Sequence, residues 1–97
     1  MRRARTHPGV MLQAELDARG ITAHRLALAI RVPANRITAI LRRERAVTAE
    51  TAVRLGRYLG TGPEFWMALQ TAYDIDTVNR EKGPLIESEV PEAAAPS

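Results

Sequence analysis

Apolar residues recur along the first 80 positions of the chain at spacings of three and four residues, the period of amphipathic helices. Five such segments follow one another, and no alternating pattern of the strand type competes with them there. The pattern therefore predicts an all-α fold of five helices. The apolar positions that define these helices are Leu12 and Leu16; Leu26, Ala27 and Ile30; Ile37, Ile40 and Leu41; Ala52, Leu55 and Leu59; and Phe65, Trp66, Leu69, Ala72 and Tyr73.

Capping residues mark where several of these helices begin and end. Thr22 and Thr48 are placed to cap the second and fourth helices, because a threonine hydroxyl accepts a hydrogen bond from an N–H of the first turn. Gly20 and Gly60 follow the first and fourth helices, where glycine readily forms a helix stop. The segment Thr61–Glu64 has the spacing of a capping box and predicts the start of the fifth helix.

The fifth helix is predicted to end at Arg80, because Gly83 and Pro84 follow and this pair is a strong helix breaker. The next segment, Leu85–Val90, is predicted to be disordered in the free chain or to add a short edge strand when a partner binds. The predicted organisation is a flexible arm of residues 1–6, a folded domain of residues 7–80 and a short, flexible acidic tail of residues 81–97.

Composition restricts the function of the chain. With 97 residues, 45% of them hydrophobic, it is one small domain whose core leaves little room for a catalytic cleft. It has no cysteine and no apolar run of membrane-spanning length, which favours the cytoplasm and disfavours a membrane protein. His7 and His24 lack partners at ligand spacing, so we expect no metal or other cofactor. Without a nucleophile elbow or a phosphate-binding glycine loop, we expect neither an enzyme nor a small-molecule substrate.

Charge divides the chain into two parts of opposite sign. Residues 1–60 contain twelve arginines and four acidic residues, a formal charge of +8, whereas residues 61–97 carry a formal charge of −5. Arginine matches phosphate oxygens and guanine edges, although the base bias of a genome also enriches arginine. The two parts are expected to meet different partners, and nucleic acid is a candidate for the basic part.

Residues 22–41 have the spacing of a helix-turn-helix, in which the N-terminal end of the second helix enters the major groove of DNA. Its outward face carries groups that suit base edges, and the residues around it suit phosphates. The alternative is a solvated amphipathic helix in a bundle that binds no DNA. The predicted base-reading residues are Asn35, Arg36, Thr38 and Ala39, and the predicted phosphate contacts are Thr22, Arg42, Arg43 and Arg45.

A single helix-turn-helix of this size gains specificity by dimerising, because two recognition helices about 34 Å apart fit successive major grooves. We therefore expect a homodimer. The fifth helix carries most of the aromatic mass of the chain, and its Trp66 suits either the core or an interface. The candidate residues for an interface with a second copy or another partner are Trp66, Tyr73, Ile75 and Val78.

Several motifs of the chain occur together in one known family. They are His7-Pro8-Gly9, the helix-turn-helix from Leu26 to Leu41, the run Arg45-Ala46-Val47-Thr48-Ala49-Glu50-Thr51-Ala52, Pro63-Glu64-Phe65-Trp66, Leu69-Gln70 and Ala72-Tyr73-Asp74. This combination, which spans residues 7–76, resembles HigA-type antitoxins of the Xre type of helix-turn-helix proteins. The resemblance implies a lambda-repressor-like fold and a dimeric antitoxin of a type II toxin–antitoxin system. It also implies that the chain neutralises a HigB-type toxin, a RelE-like ribosome-dependent mRNA endonuclease, and represses its own operon at a palindromic, double-stranded operator.

Three places depart from the family pattern. Val10 stands where an acidic residue is usual, Ala23 where a polar residue is usual, and Arg42-Arg43-Glu44 where Asn-Gly-Lys is usual. Without a glycine after the third helix, that helix is expected to extend or to end less sharply. The additional arginines are expected to strengthen nonspecific attraction to phosphates, and Ala23 removes a phosphate hydrogen bond. The operator sequence of this chain therefore cannot be inferred from those of the family.

Two other functions are compatible with the residues. One is a stand-alone Xre-type transcriptional repressor without a toxin, in which the acidic tail serves solubility or recruits a protein. The other is a structural helical interaction protein, which requires that DNA binding be absent. A small neighbouring reading frame whose product co-purifies with the chain would distinguish the antitoxin from the stand-alone repressor.

Overall fold

The described part of the chain folds into five α-helices, in the order that the hydrophobic pattern predicts. The computed structural model describes residues 5–95; most of the predicted arm of residues 1–6 and the last two residues of the predicted tail lie outside this range. The helices are α1 (Pro8–Arg19), α2 (Ala23–Ile30), α3 (Ala34–Leu41), α4 (Ala49–Leu59) and α5 (Pro63–Glu89). No strand occurs within the described range, and the all-α prediction is confirmed. None of these five helices combines the length and the apolar character that crossing a membrane requires.

Several predicted helix ends are confirmed by their caps. The hydroxyls of Thr22 and Thr48 accept hydrogen bonds from the N–H groups three residues later, at 3.1 and 3.3 Å. Gly20 and Gly60 follow α1 and α4 with φ values of 66° and 78°. These ends depend on local chemistry alone, because a hydroxyl satisfies a first-turn N–H and glycine adopts a left-handed conformation without a steric penalty.

The start of α5 differs from the predicted capping box. Gly62, with φ 81°, is the N-cap residue, and no side chain caps this end. The hydroxyl of Thr61 instead accepts a hydrogen bond from the indole N–H of Trp66 at 2.8 Å. This bond satisfies the polar atom of a ring that has no exposed surface. Trp66 is therefore a core residue that is inaccessible to a partner, which corrects its place among the candidate interface residues.

The end of α5 also differs from the prediction, because the helix continues through Gly83 and Pro84 as far as Glu89 rather than ending at Arg80. Pro84 lacks the N–H that a helical residue donates four positions back, but this part of the helix is exposed and water is available there. Gly83 has no Cβ to clash with the proline ring, which is the clash that normally bars the preceding residue from the helical region. The predicted tail is thus helical over much of its length, and Leu85–Val90 forms no strand.

The core lies among α1 to α4 and the first half of α5. α5 packs mainly on α4, while α3 packs on α2 and α1. With 27 residues, α5 is about 40 Å long, and its second half extends beyond the core, so that the molecule measures 54 × 30 × 22 Å. The buried hydrophobic residues are Leu12, Leu16, Leu26, Ala27, Ile30, Ile37, Ile40, Val47, Ala52, Leu55, Leu59 and Trp66.

Candidate nucleic-acid interface

α2 and α3 form a packed pair joined by the short connection of residues 31–33. Leu26 and Ile30 of α2 and Ile37 and Ile40 of α3 are all buried in the common core. The two helices are therefore held by side-chain packing on one side. The other side of α3 faces solvent on a rigid support, which is the arrangement that a recognition helix needs.

The outward face of α3 presents a mixture of amide, methyl and guanidinium groups. Asn35 and Arg42 are exposed, and Thr38 and Ala39 are half-buried beside them. The hydroxyl of Thr38 is bonded back to the carbonyl oxygens of Ala34 and Asn35, at 3.3 and 3.2 Å. Because the hydroxyl is occupied within the helix, the methyl group of Thr38 is the part of the side chain available to contact a bound molecule. The amide of Asn35 can pair with adenine through two hydrogen bonds, and a methyl group can contact thymine.

Arg36 occupies a different position from its neighbours on α3. Its side chain is half-buried, and its Nε is buried with no hydrogen-bond partner among the described residues. A buried N–H without a partner is unfavourable. The structure thus brings Asn35, Thr38 and Ala39 together on the outward face and places Arg36, which is half-buried, beside that face.

The residues predicted to contact phosphates lie at the start of α2 and in the segment that follows α3, and all of them are exposed. α3 ends at Leu41 without extending, because Arg43 takes the left-handed conformation, φ 65°, that a glycine would adopt more easily. The expectation of a less sharp end is therefore wrong, and Arg43 itself provides the stop. We refer to the following residues as the basic face: Thr22, Asn35, Thr38, Ala39, Arg42, Arg43 and Arg45.

Gln70 of α5 connects the core to the loop that follows α3. Its side chain is 4% exposed, and its Oε1 accepts a hydrogen bond from the Val47 N–H at 2.8 Å. Its Nε2 donates to Oδ1 of Asp74, also at 2.8 Å. The sequence indicates Gln70 only as part of the Leu69-Gln70 motif and predicts no contact for it, because glutamine is usually a surface residue. The one available signal was its position four residues after Trp66, on the core face of the helix.

His7 connects the start of α1 to α5. Its Nδ1 accepts a hydrogen bond from the N–H of Gly9 at 2.9 Å and so caps α1. Its ring contacts that of Tyr73 edge to face, with centroids 4.9 Å apart, and the residue is 6% exposed. Because Nδ1 is the acceptor, the neutral ring carries its proton on Nε2. His7 is therefore a structural residue. Tyr73 is half-buried and uses one edge or face of its ring in this contact.

The environment of His7 favours the neutral ring. Burial lowers the pKa of His7 below 6.5, and the positive charge of Arg43 acts in the same direction. The carboxylate of Asp74 and a hydrogen bond with the backbone of Arg45 oppose this change in pKa without reversing it. In the described part of the chain no group of three or more His, Cys, Asp or Glu side chains could hold a metal ion.

A row of apolar side chains runs along α5 on the side opposite its core face. Ile75 and Val78, two of the candidate interface residues, are 56% and 46% exposed. Leu85 and Ile86 continue the row and are also exposed, whereas Tyr73 is half-buried against His7. Leu85 and Ile86 were not among the predicted interface residues, because the segment Leu85–Val90 was predicted to be disordered or to form an edge strand on a partner. We refer to Ile75, Val78, Leu85 and Ile86 as the α5 stripe.

Comparison with known proteins relates this fold to DNA-binding antitoxins. The helix-turn-helix family model matches residues 12–66. Antitoxin HigA-1 of Vibrio cholerae is 39% identical over 85 residues, which cover 82% of this chain and 80% of that protein. An addiction module antidote protein of the HigA family from Coxiella burnetii has a TM-score of 0.90 and 43% identity, covering 94% of this chain and 100% of that one. Antitoxin HigA of Pseudomonas aeruginosa, solved with the higBA promoter, has a TM-score of 0.89 and 37% identity, covering 93% and 99% of the two chains.

Proposed function

The chain belongs to the HigA family of antitoxins within the Xre type of helix-turn-helix proteins, and we propose on this basis that it binds a palindromic operator as a homodimer and represses its own operon. We also propose that it neutralises a HigB-type toxin, an mRNA endonuclease. The observation that carries the DNA-binding proposal is the exposed Asn35 on the outward face of the packed α2–α3 pair, with the arginines of the basic face around it. The Pseudomonas aeruginosa relative solved with its promoter supports the proposal, because the similarity covers nearly all of both chains.

DNA binding divides the basic face into two kinds of contact. α3 lies in the major groove, where Asn35, Thr38 and Ala39 contact base edges. Arg43 and Arg45, in the loop that follows α3, contact phosphates together with the other phosphate-binding residues of the basic face. Affinity then depends strongly on salt concentration, because each phosphate contact releases counterions from the DNA.

The α5 stripe is the proposed dimer surface. Four large apolar side chains lie along one side of a helix that extends beyond the core, and each keeps between 39% and 56% of its surface exposed within residues 5–95. A second copy of the stripe covers them under two-fold symmetry, because the same surface is then used by both subunits. Two-fold symmetry also turns the two copies of α3 toward successive major grooves, as a palindromic operator requires.

Neutralisation of a toxin rests on family membership and on the charge of the second part of the chain. Residues 61–97 carry a formal charge of −5, which complements a basic partner such as a protein that binds RNA. The alternative is a stand-alone repressor, which shares the basic face and the dimer but has no toxin partner.

Both parts of the proposal are tested by co-expressing the tagged chain with the product of the adjacent small reading frame. Affinity purification shows whether the two proteins form a complex, and a gel shift shows whether that complex binds the DNA upstream of the operon. A stoichiometric complex that shifts this DNA supports the antitoxin and repressor functions together. DNA binding without a co-purified partner favours the stand-alone repressor, and the absence of both activities refutes the proposal.

A further inference from the structure

The loop of residues 42–48 carries arginines of the basic face, yet few backbone hydrogen bonds hold it. The last backbone bonds that join it to α3 are donated by Arg43 and Glu44. Beyond them, the N–H of Val47 donates to the side chain of Gln70 at 2.8 Å. Since Gln70 belongs to α5, the far end of this loop is attached to a helix outside the helix-turn-helix.

The amide of Gln70 is bonded at both ends and is almost completely buried. Its Nε2 donates to Oδ1 of Asp74 at 2.8 Å, while its Oε1 accepts from Val47. Because Asp74 accepts the amide N–H, this bond fixes which end of the amide faces the loop. Movement of the loop would leave the Val47 N–H or the Gln70 carbonyl unpaired in a buried place, which is unfavourable.

A second contact supports the same loop. The ring of His7 hydrogen-bonds the backbone of Arg45 and packs edge to face on Tyr73, three residues after Gln70. Val47 is itself 2% exposed and belongs to the core. The backbone on either side of the exposed arginine side chain is therefore held in place: Val47 is held by α5, and Arg45 is held by His7 at the start of α1.

We propose that Gln70 is a positioning residue for DNA binding: by holding Val47 against α5, it sets where Arg45 lies relative to the phosphates of the operator, whereas Arg43 is held by its own bond to α3. The inference rests on the proposed DNA-binding function and adds to it a residue that does not touch DNA. One rigid helix then carries both the loop anchor, on its core face, and the α5 stripe, on the opposite face. The spacing of two subunits and the placement of Arg45 in each are then fixed by the same element.

Gln70→Met is the direct test, because methionine has nearly the volume of glutamine but makes neither hydrogen bond. Gln13→Met is the matched control, since Gln13 is exposed on α1. DNA affinity is measured by fluorescence anisotropy on the upstream DNA over a range of salt concentrations. We expect Gln70→Met to raise Kd about tenfold. We also expect the slope of log K against log salt to become less steep by about 1, because one phosphate contact, that of Arg45, is lost and contributes about 0.9.

A rescue pair separates the hydrogen bonds from the volume of the side chain. Gln70→Glu keeps an acceptor for Val47 but places a second carboxylate against Asp74, so affinity falls as in Gln70→Met. The double variant Gln70→Glu/Asp74→Asn restores both bonds with donor and acceptor exchanged, because the new amide donates to the new carboxylate. We expect the double variant to bind within about threefold of the wild type.

Three results would overturn the inference: an unchanged affinity in Gln70→Met, a lower affinity at an unchanged salt slope, or no recovery in the double variant. The second result indicates a general loss of stability instead of a displaced Arg45. Hydrogen exchange of the Val47 amide in the free protein separates this inference from the proposed function. Faster exchange in Gln70→Met than in Gln13→Met supports the anchoring role without DNA, and equal exchange contradicts it. Failure of the wild type to bind any DNA refutes the proposed function instead.

Discussion

Gly9 in the first turn of α1 lies directly against the backbone carbonyl of Ile40 in the last turn of α3. A Cβ atom on residue 9 would overlap that carbonyl, so only glycine permits this approach. The contact explains why the third residue of His7-Pro8-Gly9 is a glycine. His7 caps α1, Pro8 begins it, and Gly9 lets it meet the C-terminal end of the recognition helix.

Gly9→Ala is expected to destabilise the protein by about 1 to 3 kcal/mol, because backbone atoms must move to admit a methyl group. The measurement is urea denaturation followed by far-UV circular dichroism. Val10→Ala, at the exposed neighbouring position, is the control and should change the free energy of unfolding by less than about 0.5 kcal/mol. Equal effects of the two substitutions would show that the contact with Ile40 has no energetic consequence.

Stability is expected to fall on mild acidification because of His7. Burial lowers the pKa of His7 in the folded chain, so below pH 6.5 the unfolded chain binds more protons than the folded one. The contribution of the neutral ring is complete above pH 6.5 and is lost as the pH falls from 6.5 through the folded-state pKa. The free energy of unfolding measured between about pH 7.5 and 5.5 should show this loss.

The His7→Asn variant is expected to be less sensitive over the same pH range, because asparagine also caps a helix but does not titrate. His24→Asn, at an exposed position in the first turn of α2, should retain the wild-type dependence. The same pH dependence in wild type and His7→Asn would assign the effect to other groups.

The left-handed backbone conformation of Arg43, which ends α3, is unfavourable for a residue with a Cβ atom. Arg43→Gly should therefore stabilise the chain by about 1 kcal/mol. It should also weaken DNA binding, because a phosphate contact is lost. Arg31→Gly is a matched comparison, because Arg31 ends α2 with φ 60° and lies outside the proposed phosphate contacts. It should give a similar gain in thermal stability with DNA affinity retained. A loss of stability in Arg43→Gly would show that this arginine contributes more through its side chain than its backbone conformation costs.

The dimer is expected to depend on the exposed second half of α5. Leu85→Asp places a charge within the α5 stripe and should convert the dimer to a monomer at micromolar concentration, because an unpaired charge in an apolar interface is strongly unfavourable. Val90→Asp, one residue beyond the helix and 63% exposed, should leave the dimer intact. Light scattering after size exclusion gives the mass of each variant. A dimeric Leu85→Asp would place the interface elsewhere.

Local signals predicted most of the fold, whereas features that depend on distant residues escaped prediction. Thr22 and Thr48 identified helix starts because a cap acts within one turn. Pro84 misled the prediction because its effect depends on exposure and on the glycine before it, neither of which the breaker rule includes. Gln70 was missed because its partner, Val47, is 23 positions away in the chain. For the basic face, the exposed residues followed from helical periodicity, but the burial of the Arg36 Nε depends on packing that periodicity does not describe.

The most direct test of the central claim is a comparison of wild type, Asn35→Ala and Arg43→Ala on the upstream DNA and on a random duplex of equal length at one salt concentration. The account predicts that wild type prefers the upstream DNA and that Asn35→Ala loses about 1 to 3 kcal/mol on that DNA but little on the random duplex. Arg43→Ala should lose affinity about equally on both. Equal binding of wild type to both duplexes, or equal losses for Asn35→Ala on both, would contradict the claim that the outward face of α3 recognises an operator.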